Sequence, residues 1–82
     1  LNKKMPTVTK IGPYRFYFYS SDANEPSHIH VQRERFTAKF WLSPIRLQRS
    51  KGFRDHDLIK IQKLIEENKE IFQEKWNEYF SA

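Results

Sequence analysis

Between Glu25 and Val31 the chain reads EPSHIHV, with His28 and His30 separated by Ile29. Side chains alternate between the two faces of a strand. An extended backbone here therefore puts both imidazoles on one face, about 7 Å apart at Cα from a rise of ~3.3 Å per residue. Three readings are open. The first is catalytic. Imidazole titrates near neutrality and can take a proton from a ribose 2′-hydroxyl or give one to a leaving oxygen, and a guanidinium or ammonium stabilises the charge that develops on the phosphate. His28, His30, Arg15 and Arg46 are the candidate catalytic group, with Lys39 as a further cation and Tyr17 or Tyr19 assisting through a phenol. Such an endoribonuclease needs no metal.

The second reading is a metal centre. Two imidazoles can converge on one Zn²⁺ or Ni²⁺, but a closed zinc site needs further N, S or O ligands. The chain has no cysteine, His56 belongs to a remote segment, and Asp22 and Glu25 are the nearest carboxylates. The pair alone assigns no metal and no cofactor. The third reading is structural: His28 hydrogen-bonds the EPS loop and His30 is a surface residue of a strand.

The elements that position these residues are set by pattern. Thr7 to Ile11 is short and β-branched, and Gly12-Pro13 marks a turn. The aromatic run YRFYFYS, Tyr14 to Ser20, favours a pleated strand, bounded by the polar loop SSDANEPS. His28 to Arg33 and Phe36 to Leu42 come next as strands around Glu34-Arg35. Ser43-Pro44 then turns the chain into a weaker strand over Ile45 to Arg49. From Arg54 the period changes: Leu58, Ile61, Leu64, Ile65, Ile71, Phe72, Trp76, Tyr79 and Phe80 recur at three- and four-residue steps, one stripe of a long amphipathic helix. Strands followed by a helix predict an α+β fold: an antiparallel sheet of four to five strands over roughly residues 7–50, with one long C-terminal helix over roughly 55–80 on one face.

Provided no strand carries a bulge, alternation then sorts the sheet. Tyr14, Phe16, Phe18, Ile29, Val31, Phe36, Ala38, Phe40, Leu42, Ile45 and Leu47 face the helix. Arg15, Tyr17, Tyr19, His28, His30, Gln32, Lys39, Trp41, Arg46 and Gln48 face away. The second set mixes cations, imidazoles and large aromatics. Exposed aromatics on a basic sheet can stack bases while cations contact phosphates. They can also brace cross-strand pairs or anchor a partner protein. Tyr17, Tyr19, Lys39, Trp41, Arg49 and Lys51 are the candidate nucleic-acid or partner-binding residues.

Charge points the same way. The net charge is +5. Residues 1–54 hold eleven Lys and Arg against three Asp and Glu, whereas residues 55–82 hold four against seven. A basic front two thirds favours an anionic partner, nucleic acid or an acidic protein. At 82 residues the chain is one domain, over residues 5–82, with Met5 as the expected start and residues 1–4 as a tail. No apolar run approaches a membrane span, and no disulfide is possible; a cytoplasmic location is the expectation.

The segments MPTVTKIGPYRFYFYSSDANEPSHIHVQRE and AKFWLSPIRLQRSKGF, with the close WNEYF, resemble the domain-of-unknown-function 4160 family from Met5 to Phe80. The family's box falls on Asn24, Glu25, Pro26, His28, His30 and Val31. The chain departs from the family at Ser27, where a second Pro is more frequent, and at Arg54, where a capping residue such as Asn is common; the expected N-cap moves to Asp55. The resemblance implies a small bacterial or phage-borne protein encoded beside another short protein, in an arrangement like a toxin–antitoxin pair, and carries no agreed catalytic set. The expected function is therefore the toxin-like component of such a module, binding a small cognate protein and RNA through the basic aromatic face. The alternatives are a non-enzymatic interaction module or homo-oligomer, and a metal-binding protein built on the two histidines.

Overall fold

The computed structural model describes residues 7–81; the tail at residues 1–4 and the start at Met5 lie outside them. The elements are β1 (Thr9–Ile11), β2 (Tyr14–Tyr17), a 3-10 turn (Ser20–Asn24), β3 (His28–Arg33), β4 (Phe36–Leu42), β5 (Ile45–Lys51), α1 (Asp55–Glu67) and α2 (Lys69–Phe80). The strands form one antiparallel sheet in the order β1-β2-β3-β4-β5. Consecutive strands pair; three connections are two-residue reversals, and the longer β2–β3 connection carries the 3-10 turn. Gly12, at φ +56°, makes the first; Glu34, at φ +55°, makes the β3–β4 tip, where Gln32 donates to its carbonyl.

The helices cover one sheet face, as the α+β reading expects. Phe16, Phe18, Ile29, Val31, Phe40 and Leu42 meet Ile61, Ile65, Phe72 and Trp76 in a single core. Phe16 packs on Phe72 with ring centroids 5.0 Å apart, and Phe18 sits edge-on to Trp76 at 5.3 Å. Ser27 ties the loop before β3 to α2 through its Oγ and Gln73 Oε1, 3.0 Å apart.

Three details differ from the sequence reading. The helix is divided at Asn68, whose Nδ2 donates to the Leu64 carbonyl at 2.8 Å and whose φ is −115°. A side chain that competes for backbone groups interrupts the ladder there, so Ile65 and Phe72 point to the core while Ile71 is half exposed. The first helix opens at Asp55 rather than being capped by it. Arg54 is the N-cap, and Asp57 Oδ2 accepts its N–H at 3.4 Å. Regular pairing of the aromatic strand stops at Tyr17, because the Asp22 carboxylate accepts the Tyr19 N–H at 2.8 Å and bends the chain into the 3-10 turn.

Candidate functional site

Register lines up three cross-strand rows on the face away from the helices. Arg15, Gln32, Thr37 and Lys51 form one. Tyr17, His30, Lys39 and Arg49 form the next. His28, Trp41 and Arg46 form the third. The middle row depends on a bulge. Lys39 pairs with Arg49 but Phe40 pairs with Leu47, so Gln48 is the extra residue of β5. One inserted residue reverses the parity of the residues after it. Strict alternation from Arg46 would send Arg49 and Lys51 to the helix side; the bulge turns both onto the face of His30.

That face is not open. Tyr17, His28, His30 and Lys39 are 2%, 0%, 5% and 6% exposed. The expectation of a wet sheet surface is corrected by the 3-10 turn, which folds over it and delivers Asp22 between the two imidazoles. Asp22 Oδ2 lies 3.0 Å from His30 Nε2, and Asp22 Oδ1 lies 3.1 Å from His28 Nε2. Burial alone would raise the Asp22 carboxyl, but its contacts with His28 and His30 and the Tyr19 N–H outweigh that and hold it well below the usual carboxylate range. His28 Nδ1 is 2.9 Å from the Pro26 carbonyl, so this ring does bond the EPS loop. Its ring also meets Trp41 and, at the rim of the core, Trp76 of α2.

His30 is held differently. Its ring stacks on Tyr17 at 5.3 Å and 18°, and meets Tyr19 edge-on at 4.7 Å. Burial, with help from Tyr19, pushes the Tyr17 phenol well above its ordinary value, so Tyr17 stays neutral. Lys39 pairs with Glu25 and lies 4.9 Å over the Trp41 ring. The Lys39 ammonium in turn holds the Glu25 carboxyl below its ordinary range.

A cleft of about 200 Å³ opens over this layer, lined by Tyr17, Tyr19, His30, Thr37, Lys39, Arg49, Ser50 and Lys51. Among the described residues neither Arg49 nor Lys51 has a carboxylate partner. The cleft thus joins two uncommitted cations, one half-exposed phenol and one imidazole edge.

The sequence-predicted residues divide accordingly. His30, Tyr17, Tyr19, Lys39, Arg49 and Lys51 come together. Trp41 is half buried in the row of His28. Arg15 is on the same face but spans Thr7 Oγ1 and Gln32 Oε1 at 2.6 and 3.0 Å and covers Tyr17, so it stands outside the cleft. Arg46 is exposed at the end of the Trp41 row and does not line it either. His28 lies beneath the surface with no route to a bound phosphodiester. The residue that organises the site is Asp22, which the sequence offered only as a nearby carboxylate; its readable signal was its place three residues after Tyr19, where an acidic side chain can cap back onto the chain. His56, 73% exposed at its side chain, is remote as expected.

A family model described as a domain of unknown function (DUF4160) matches residues 14–77. That span holds every strand from β2 onward, both rings of the histidine pair and Asp22. Comparisons with curated proteins and with solved structures returned no match. Among the described residues no helix is long and apolar enough to cross a membrane.

Proposed function

The chain belongs to this family of unknown function, DUF4160, and on that premise we propose that it is the toxin-like component of a two-protein module and engages RNA at the cleft of Tyr19, His30, Arg49 and Lys51. One observation carries this reading: the Gln48 bulge turns two cations without carboxylate partners onto the face that presents Tyr19 and His30. Phosphates supply charge for Arg49 and Lys51, and the half-exposed Tyr19 ring offers a stacking surface that any base can use. Tyr17 cannot stack a base, since its own face is spent on His30. The cleft is small and sits on a sheet, which suits a single-stranded segment better than a duplex.

The test is fluorescence anisotropy with a labelled single-stranded RNA at low salt. The intact chain binds, and the double variant Arg49→Ala with Lys51→Ala binds at least tenfold more weakly, with a log–log salt slope shallower by about one to two. Expression of the intact chain arrests growth, and the same double variant relieves the arrest. RNA binding that is absent, or unchanged in the double variant, removes the proposal.

A second reading rests on a different surface. β5 is an edge strand with one side unpaired, and Leu47 and Ile59 are 38% and 61% exposed beside it. An unpaired edge flanked by apolar side chains is a template for another chain. It fits a cognate small protein or a second copy. Light scattering separates these from a monomer, and Ile59→Glu should abolish the association without altering RNA binding.

A further inference from the structure

We propose that Asp22, His28 and His30 form a binding site for one divalent transition-metal ion, with the ligand preferences of zinc. Two imidazole nitrogens and one carboxylate oxygen, all on buried residues, lie within 4.8 Å of one another. This is the donor set of a three-ligand centre that keeps a further position open.

The orientation of His28 makes the strongest case. Its Nδ1 faces the Pro26 carbonyl at 2.9 Å. A carbonyl only accepts, so Nδ1 carries the hydrogen and Nε2 of that tautomer presents a lone pair. Nε2 is fully buried and makes no aligned hydrogen bond, although Asp22 Oδ1 lies 3.1 Å away. A lone pair and a carboxylate oxygen at that separation repel unless a cation, a proton or a metal ion, lies between them. Ligating histidines characteristically donate their other ring N–H to a backbone carbonyl, which fixes both tautomer and ring angle. His28 has that support before any ion arrives.

The rest of the cluster agrees. The two imidazole rings stand 5.0 Å apart at 87°. An ion ~2.0 Å from each Nε2 at a near-tetrahedral angle leaves ring centroids about 5 Å apart. Asp22 is oriented by the Tyr19 N–H on Oδ2. His28 is packed against Trp41 and Trp76, and His30 against Tyr17 and Tyr19, so neither ring is free to swing away. Ligand atoms of a tetrahedral zinc centre are separated by ~3.3 Å, so loading draws the cluster inward. The 3-10 turn that carries Asp22 is the element placed to make that adjustment. A second cleft borders the cluster at Asp22 and His30 and is lined also by Tyr19, Glu25, Lys39 and Arg49. Lys39 and Arg49 repel an ion there and lower its affinity, while Glu25 partly offsets them.

The site shares His30 with the proposed RNA cleft, but it does not rest on that reading and its test uses no RNA. The untagged full chain, stripped with chelator and dialysed, is titrated calorimetrically with ZnCl₂. One equivalent binds, and zinc raises the melting temperature. Asp22→Asn and His30→Gln each weaken binding at least tenfold and lose the thermal shift, whereas His56→Ala retains both. A readout on the unaltered chain covers the case in which a variant fails to fold: zinc displaces the imidazole ¹⁵N resonances of His28 and His30 and leaves His56 in place. Absence of stoichiometric binding, undiminished binding by Asp22→Asn, or displacement of the His56 signal overturns the assignment.

Discussion

At the scale of single residues, Asp22 has the widest reach. It bends the chain after Tyr17, holds His30, faces the lone pair of His28, and is itself almost fully buried. Its folded carboxyl titrates below the value of an unfolded chain, about 3.9. A depressed acid contributes stability that is fully present above the unfolded value and is lost as pH falls toward the folded one. Asp22→Asn should therefore flatten the stability–pH profile below about pH 4. At neutral pH it should cost about 2–3 kcal/mol, because the buried His30 ring and the Tyr19 N–H lose their charged acceptor. Urea titrations between pH 2 and 7 measure both effects; parallel profiles for the two proteins would show that Asp22 does not titrate as described.

At the scale of elements, two short features decide where side chains go. Gly52 ends β5 at φ +95°, and an added Cβ would stand 2.2 Å from Phe36 Cδ1. Gly52→Ala thus combines a left-handed backbone with overpacking against a ring, and should destabilise by about 2–3 kcal/mol in chemical denaturation. The other feature is the Gln48 bulge. Deleting Gln48 should leave β5 strictly alternating with Arg49 and Lys51 still opposite Lys39 and Thr37, so a folded deletion variant should retain RNA binding by fluorescence anisotropy. Loss of binding by a folded deletion variant would show that the bulge does more than set the facing of these two cations.

At the scale of the molecule, one core sustains everything. A domain this small buries only a little over ~60% of its unfolded surface, so its stability margin is thin. Phe72, fully buried against Phe16, couples α2 to the sheet. Phe72→Ala should cost about 3–5 kcal/mol, enough to leave much of the chain unfolded at 37 °C by circular dichroism. The same substitution reaches the site indirectly, since Trp76 one helical turn on contacts His28.

Pattern alone determined the sheet-plus-helix architecture. β3 and β4 run over the residues that alternation indicated, because both strands have one face on the helices and one away, and two-sided environments write a period of two into the sequence. The stripe from Leu58 to Phe80 likewise recorded the buried side at Ile61, Ile65, Phe72 and Trp76, whereas Ile71 and Tyr79, also in it, are exposed. The shared face of His28 and His30 was legible for the same reason. Their burial was not: it comes from a turn whose residues, SSDAN, read only as a polar loop, because a cap between Asp22 and Tyr19 leaves no periodic trace. Nor could alternation place Arg49 and Lys51, since a single extra residue in β5 reverses parity and is visible only in its pairing with β4. Local periodicity is imposed by burial along one element; the contacts that build the site join elements far apart in the chain, and only the folded structure brings them together.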